Sequence, residues 1–308
     1  MPIPFQIGKF KRYIRNRMSE IRNVLEIVNQ DLVPAKVRVV LFDLDGTLSL
    51  IRSGWMEMMC SMFIQELRPL DTQLTDAELQ HFAEEIILQL TGKETIYQMA
   101  ALTDAVRSRG RNPLSAYDYK AAFLDELLAQ VEENIQSIES DPVGREKFLV
   151  PGARALLDDL AARGITLYLA SGTDDESVTR EASVLGIARY FGDRIYGARA
   201  DEKGFTKAAL VHHLVNELGH DPRELLGFGD GFVEINEIRK AGGIGIGVAT
   251  REPQCIEVHQ NKRRHLIAAG ADLIIPNYLE QSRFLPLLIQ DSRLRRRGSQ
   301  IDSVSLPS

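Results

Sequence analysis

The sequence predicts an α/β protein: a doubly wound parallel sheet, covered by helices on both faces, with an all-helical domain inserted into the chain. Three observations predict this fold class. Residues 37–42 are an apolar, β-branched run of strand length. Residues 50–148 contain few glycines and show helical periodicity with no convincing strand between the helices. From residue 149 onward, short apolar runs alternate with helical segments, which is typical of repeated strand–helix units with right-handed crossovers.

Residues 1–36 are predicted to form an amphipathic helical extension that ends at Pro34. The stripe either packs on the protein's own body or forms a short seam between two copies, which would make the protein a homodimer. Apolar residues at spacings of three and four define this stripe: Ile14, Met18, Ile21, Leu25, Val28 and Leu32.

The core is predicted to comprise residues 37–49 and 149–285, interrupted by a helical insert at residues 50–148. The first strand of the core stops at a carboxylate-rich turn, Asp43-Leu44-Asp45-Gly46-Thr47. Within the insert, helices are predicted at residues 54–68, 75–91, 93–109 and 116–139.

The second part of the core alternates strands with helices. A strand at residues 166–170 runs into Ser171-Gly172-Thr173, and a strand at residues 225–228 runs into Gly229-Asp230-Gly231. Residues 286–308 are basic and rich in serine, and we expect them to be a disordered tail. Further strands are predicted near 194–196, at 244–248 and at 272–275, with helices at about 152–163, 175–185, 205–218 and 233–241.

Composition and charge exclude several classes of protein. No run approaches 18 consecutive apolar residues, so we expect no membrane span, and no apolar stretch follows the basic N-terminus as a secretory signal requires. Residues 23–290 are acidic while both ends are basic, which argues against a nucleic-acid partner. The two cysteines, Cys60 and Cys255, form neither a disulfide framework nor a zinc motif, which favours a cytoplasmic location.

Polar side chains follow the predicted strands where a ligand site is expected. In an open parallel sheet, ligands bind beyond the carboxyl ends of the strands. Carboxylates there can hold Mg²⁺, which prefers oxygen ligands and shares them with substrate phosphate. Hydroxyl, backbone N–H and lysine groups can neutralise the phosphoryl oxygens. The residues selected by this rule are Asp43, Asp45, Ser171, Gly172, Lys207, Asp230 and Glu234.

The motif Asp43-Leu44-Asp45-Gly46-Thr47 after an apolar strand resembles the hallmark of the haloacid dehalogenase-like superfamily. The other motifs of that family follow in the expected order: Ala170-Ser171-Gly172-Thr173, then Lys207, then Gly229-Asp230-Gly231-Phe232-Val233-Glu234. Glu234 stands where the family usually has aspartate, and Lys203 competes with Lys207 for the third motif. The resemblance covers about residues 37–48 and 149–280.

The resemblance implies a role for each of these residues. Asp43 would be the nucleophile and a metal ligand, and Asp45 the acid–base group whose backbone carbonyl also contacts Mg²⁺. Lys207 would orient Asp43 and screen its charge. Thr47, Ser171 and Gly172 would hold the transferring phosphate. Asp230 and Glu234 would complete the magnesium site.

The insert is placed like the helical cap of the β-phosphoglucomutase and phosphoglycolate phosphatase branch of this family. Residues 90–94 resemble the loop that such caps present to substrate, and Lys93 would meet a phosphate or another anionic group. Arg52 and Trp55, just past the nucleophile loop, lie where a hinge or a substrate contact is expected.

We therefore expect a Mg²⁺-dependent phosphatase that acts on a small phosphorylated metabolite, such as a sugar phosphate or phosphoglycolate, through an aspartyl-phosphate. A phosphomutase is one alternative, and a catalytically idle binding or scaffold module is another. A dehalogenase is disfavoured because dehalogenases of this family lack an acid at the position of Asp45.

Overall fold

A computed structural model describes residues 25–91, 93–198, 206–217, 219 and 221–290 of the 308-residue chain. Its strands are β1 (Glu26–Ile27), β2 (Val39–Phe42), β3 (Thr166–Asp174), β4 (Ile195–Ala198), β5 (Leu225–Gly229), β6 (Ile244–Val248) and β7 (Leu273–Ile275). The helices of the insert are α1 (Trp55–Leu67), α2 (Asp76–Leu90), α3 (Thr95–Ser108) and α4 (Ala116–Ser140). The remaining helices are α5 (Ala153–Ala162), α6 (Asp175–Val184), α7 (Ala188–Phe191), α8 (Lys207–His212), α9 (Phe232–Lys240), α10 (Gln260–Ala268) and α11 (Gln281–Leu288).

The predicted doubly wound sheet is confirmed. The seven strands lie in the order β1-β7-β6-β5-β2-β3-β4, and every pairing is parallel except that of β1 with β7. Alternate residues of β2 face opposite sides of the sheet. Val40 and Phe42 pack into one apolar cluster, with side chains of α5 and α6, whereas Val39 and Leu41 pack into another, with side chains of α8 and α9. Helices therefore cover both faces.

The register of β2, β3 and β5 determines which residues lie beside Asp43. Phe42 of β2 pairs with Leu169 of β3 on one side and with Phe228 of β5 on the other. Neighbouring strands lie about 4.8 Å apart, so the residues that follow these positions meet at one edge of the sheet. Asp43, which follows β2, lies at that edge.

The insert between β2 and β3 consists of helices with well-defined starts. Thr75 and Ser115 each accept a hydrogen bond from the third residue of the helix that follows, and the side chains of Glu78 and Asp118 bond back, forming capping boxes. Among the described residues, no helix has the length and apolar character needed to cross a bilayer.

The predicted helix of residues 1–36 is wrong for its described part. Residues 1–24 lie outside the described residues, and residues 25–36 contain no helix. Instead, Glu26–Ile27 adds an antiparallel strand to β7, and Asn29 bonds both the backbone and the side chain of Asp272. Leu25 and Leu32 are buried as the stripe required. The edge of β7 offers backbone N–H and C=O groups that a helix could not pair with. Residues 26–27 pair with them as a strand, so this segment does not form a helix.

The predicted boundary between the core and a disordered tail at residue 286 is also wrong. Helix α11 continues to Leu288, and Ile289 bridges to Ala35 beside the sheet. The apolar side chains Leu287, Leu288 and Ile289 are buried, which explains why the chain stays ordered there. Residues 291–308 of the predicted tail lie outside the described residues.

Candidate active site

Asp43 lies at the carboxyl end of β2 and contacts Lys207. The Lys207 ammonium donates to Asp43 Oδ1 at 2.6 Å and to Glu234 Oε2 at 3.3 Å, and both partners are buried with it. Lys207 is the first residue of α8, a helix that the Thr206 side chain caps. Burial lowers the pKa of Lys207, but the charges of Asp43 and Glu234 outweigh that effect, so its pKa lies above the usual value. Lys207 is therefore a cation at neutral pH.

Three buried carboxylates meet beside this lysine. One oxygen from each of Asp43, Asp230 and Glu234 lies within 4.8 Å of the others. Burial raises the pKa of Asp230 to about 6, and Glu234 adds to that rise while Lys262 opposes it. An all-oxygen donor set of concentrated negative charge suits Mg²⁺, so the residues present fit the ion that the sequence predicts. We call Asp43, Asp230 and Glu234 the acidic cluster.

Glu234 is held at the start of α9 by two donors. The Gly231 N–H donates to its Oε1 at 2.6 Å, and Lys207 approaches its Oε2. A carboxylate at a helix N-terminus is favoured by the helix dipole. The longer side chain of glutamate therefore reaches the acidic cluster with both oxygens already engaged.

Asp45 lies two residues after Asp43, in the loop that follows β2. Its Oδ2 accepts from Ser171 Oγ at 3.2 Å and from Thr173 Oγ1 at 3.1 Å. Its Oδ1 is buried without a hydrogen-bond partner among the described residues, and Arg52 Nε lies 3.6 Å from it. Two hydroxyls thus fix the carboxyl group while one oxygen keeps its capacity for a proton or a substrate atom.

The loop that carries Asp43 and Asp45 also contains Gly46, on which its conformation depends. Its φ of +68° is left-handed, and a β-carbon there would collide with Asp230 Oδ2. Glycine therefore lets the loop after β2 approach Asp230 directly.

The predicted phosphate-binding residues divide into two groups. Ser171, Gly172 and Lys93 line a cavity that Asp43 also lines. Thr47 is fully buried and is not among the cavity-lining residues; its Oγ1 has no hydrogen-bond partner within the described part of the chain. Its carbonyl accepts from the Tyr278 hydroxyl at 2.9 Å, which anchors the loop.

The cavity lies between the sheet edge and the insert, with a volume of about 260 Å³. Its polar floor contains Asp43, Asp45 and Lys207. The insert contributes apolar, polar and charged side chains. The apolar ones are Trp55, Met59, Phe123, Leu124, Leu127 and Leu128, and the charged ones are Lys93, Glu94 and Lys120.

Sequence reasoning missed three charged residues close to the site. Lys262 Nζ lies 2.8 Å from Asp230 Oδ2 and 3.2 Å from Glu252 Oε1. Glu181 pairs with Arg52 at 2.6 Å inside the core. A signal for Lys262 existed, because it lies four residues before the buried Leu266 and so shares the inner face of α10. Lys203, the alternative for the third motif, lies outside the described residues.

Comparisons with known proteins identify the family of the chain. The model of the haloacid dehalogenase-like hydrolase family matches residues 37–242. The phosphoglycolate phosphatase of Yersinia pseudotuberculosis serotype I is 30% identical over 144 residues, which are 44% of this chain and 62% of that protein. The corresponding protein of Yersinia pestis is 29% identical over the same extent. This chain thus spans less than two thirds of the length of these curated relatives.

Two solved structures show the same fold. A haloacid dehalogenase-like protein of unknown function from Agrobacterium tumefaciens is 18% identical, with a TM-score of 0.50 over 80% of this chain and 96% of its own. A hydrolase of that family from Deinococcus radiodurans, solved with bound phosphate and sodium, is also 18% identical. Its TM-score is 0.50, and the match covers 83% of this chain and 100% of its own.

Proposed function

The chain belongs to the haloacid dehalogenase-like hydrolase family, and we propose that it is a Mg²⁺-dependent phosphatase of a small phosphorylated metabolite. The curated phosphoglycolate phosphatases support the reaction class, although this chain spans only 62% of their length. A sugar phosphate or phosphoglycolate is the proposed substrate. With two free, buried cysteines, the chain also suits the cytoplasm, where we propose that it acts.

One observation carries the proposal. The Asp43 carboxylate is 2.6 Å from a buried lysine, within the acidic cluster, on the floor of a cavity. A carboxylate in that position can attack phosphorus while its own charge is screened. Mg²⁺ held by Asp43, Asp230, Glu234 and the Asp45 carbonyl would neutralise charge on the phosphoryl oxygens.

In the first step, one oxygen of Asp43 attacks the phosphorus atom, and the bond from phosphorus to the ester oxygen breaks. Asp45 gives a proton to the departing oxygen, which leaves as an alcohol. The Ser171 hydroxyl, the Gly172 N–H and Lys207 donate to the phosphoryl oxygens as charge spreads over them. The product of this step is an acyl phosphate on Asp43.

In the second step, the Asp45 carboxylate takes a proton from a water molecule that attacks the same phosphorus. The bond to Asp43 breaks, inorganic phosphate leaves, and both carboxyl groups regain their starting states. The insert excludes bulk water from the cavity and limits the size of the ester that enters. Lys93 at the rim would meet an anionic group on the substrate.

The test is phosphate release from a panel of sugar phosphates and phosphoglycolate, with Mg²⁺ or with EDTA, for wild type and for Asp43→Asn. We expect release that needs both Mg²⁺ and Asp43, and a far-ultraviolet circular dichroism spectrum of the variant equal to that of wild type. The compound from which phosphate is released fastest identifies the metabolite.

Two outcomes would contradict the proposal. Turnover by folded Asp43→Asn near the wild-type rate would exclude the aspartyl-phosphate. No release from any compound would favour the binding module, unless the protein transfers phosphate between two hydroxyls of one sugar, which phosphorus NMR would detect as a phosphomutase.

A further inference from the structure

Lys262 is a buried cation for which the proposed reaction has no role. Its side chain is 3% exposed, and its ammonium donates to Asp230 at 2.8 Å and to Glu252 at 3.2 Å. A buried ammonium is costly unless carboxylates pair with it. Because Lys262 engages one oxygen of Asp230, it constrains the orientation of that carboxylate toward the acidic cluster.

Glu252 extends this contact to the insert. It lies in the loop after β6, next to the Ser53 hydroxyl and the Gly54 N–H, and both donors help to lower the pKa of Glu252. Gly54 is the N-cap residue of α1 and has no side chain with which to cap the helix. A carboxylate of the core therefore lies beside the N-terminus of the first helix of the insert, where the helix dipole favours a negative charge.

We propose that Lys262 and Glu252 are positioning residues that connect the metal ligand Asp230 to the start of α1. The inference rests on the proposed function, since it requires Asp230 to bind the metal ion.

The physical basis is competition for the charge of Asp230. A divalent cation at the acidic cluster attracts the carboxylate that Lys262 also holds, so the ammonium is attracted more strongly to Glu252. Glu252 in turn bonds Lys262 and lies next to the donors Ser53 and Gly54. Binding of the cation therefore changes the environment of the first residues of α1.

The chain offers a direct probe of this coupling. Trp55 is the single tryptophan of the sequence and the first residue of α1. Its fluorescence is recorded as Mg²⁺ is added to the full chain without substrate. Calorimetry on the same samples gives the Mg²⁺ concentration that saturates each variant, so amplitudes are compared at full occupancy.

We expect Mg²⁺ to change Trp55 emission in the wild type and the change to be lost in Glu252→Gln. Ser53→Ala, which leaves all charges in place, should reduce the change with Mg²⁺ affinity unaltered. Asn134→Ala is the matched control. Asn134 of α4 donates to the Ile51 carbonyl at 2.8 Å, so it contacts the same segment between β2 and α1 without contacting Glu252. This control should respond as the wild type does.

The inference is overturned if Glu252→Gln and Ser53→Ala both keep the full wild-type amplitude, or if Asn134→Ala loses it to the same extent. It is also overturned if the wild type binds Mg²⁺ without a fluorescence change, which leaves the proposed function intact. Calorimetry that detects no Mg²⁺ binding to the wild type would contradict both.

Discussion

Arg52 joins three parts of the protein through one side chain. Its guanidinium pairs with Glu181 of α6 at 2.6 Å and lies 3.6 Å from Asp45. Arg52 itself lies in the linker between β2 and α1, which leads to the insert. Glu181 is 1% exposed, so removing either partner would leave an uncompensated charge in the core. The pair therefore ties the linker to the core beside the proposed acid–base group.

The ion pair also has a pH dependence. Burial, together with the charge of Asp45, raises the pKa of Glu181 from 4.5 to about 7, while Arg52 opposes the rise. A carboxyl group whose pKa is raised in the folded state contributes stability that is fully present below its unfolded-state pKa. That stability is lost as the pH rises through the folded-state pKa, which is about 7 for Glu181. We expect the free energy of unfolding of the wild type, relative to Glu181→Gln, to fall between pH 5.5 and pH 8, measured by urea denaturation.

Glu132→Gln is the control for this experiment. Glu132 forms an exposed pair with Arg180, whose hydrogen bonds lower the pKa of Glu132 below its usual value. It therefore does not titrate within this window, and its variant should follow the wild-type profile. Parallel profiles for Glu181→Gln and the wild type would contradict the expectation.

At the scale of single elements, α4 combines two roles on one face. Its buried residues recur at spacings of four and three, so they form a stripe against the other helices of the insert. Phe123 and Leu127 of this stripe also line the cavity. The position of the cavity wall therefore depends on how well α4 is formed and packed.

The capping box at Ser115 gives a prediction for this helix. The Ser115 hydroxyl accepts from the Asp118 N–H at 3.2 Å, and we expect Ser115→Ala to cost about 1 kcal/mol of unfolding free energy. Urea denaturation at one pH measures the loss. Ser140→Ala, at the other end of the same helix, is the control and should change stability by less than about 0.5 kcal/mol. Equal effects at the two serines would refute the importance of the cap.

At the scale of the whole molecule, the sheet edge and the insert face each other across the cavity. Carboxylates gather on the floor, and the cations Arg52, Lys207 and Lys262 lie around them. A cation that binds this site in the folded protein and does not bind the unfolded chain therefore stabilises the folded protein.

We therefore expect Mg²⁺ to raise the melting temperature of the protein. A concentration one hundred times the dissociation constant should add about 2.7 kcal/mol to the unfolding free energy. Asp230→Asn should lose this Mg²⁺-dependent shift, while Asp104→Asn, which removes an exposed charge on α3, should keep it. Differential scanning calorimetry with Mg²⁺ and with EDTA measures both. A shift of equal size in all three proteins would place the ion elsewhere.

Much of the fold and the candidate site could be predicted from sequence because the determining signals are local. Asp43 and Asp230 each follow an apolar strand directly, and Ser171 follows the apolar run 167–170 within β3. These positions of parallel strands meet at one edge of the sheet. The failures were at the two ends of the core. Residues 25–32 have a helical spacing of apolar residues, yet the unpaired edge of β7 determines their conformation.

The sequence by itself determined the α/β class, the helical insert, and the order and chemistry of the motifs at the strand ends. Periodicity and turn residues act over a few positions, so they are visible without a structure. Only the tertiary structure decided that Lys262 pairs with Asp230, that Glu252 meets the start of α1, and that Arg52 meets Glu181. These contacts join residues far apart in the chain, and they depend on the rotation and distance of packed helices, which no local pattern encodes.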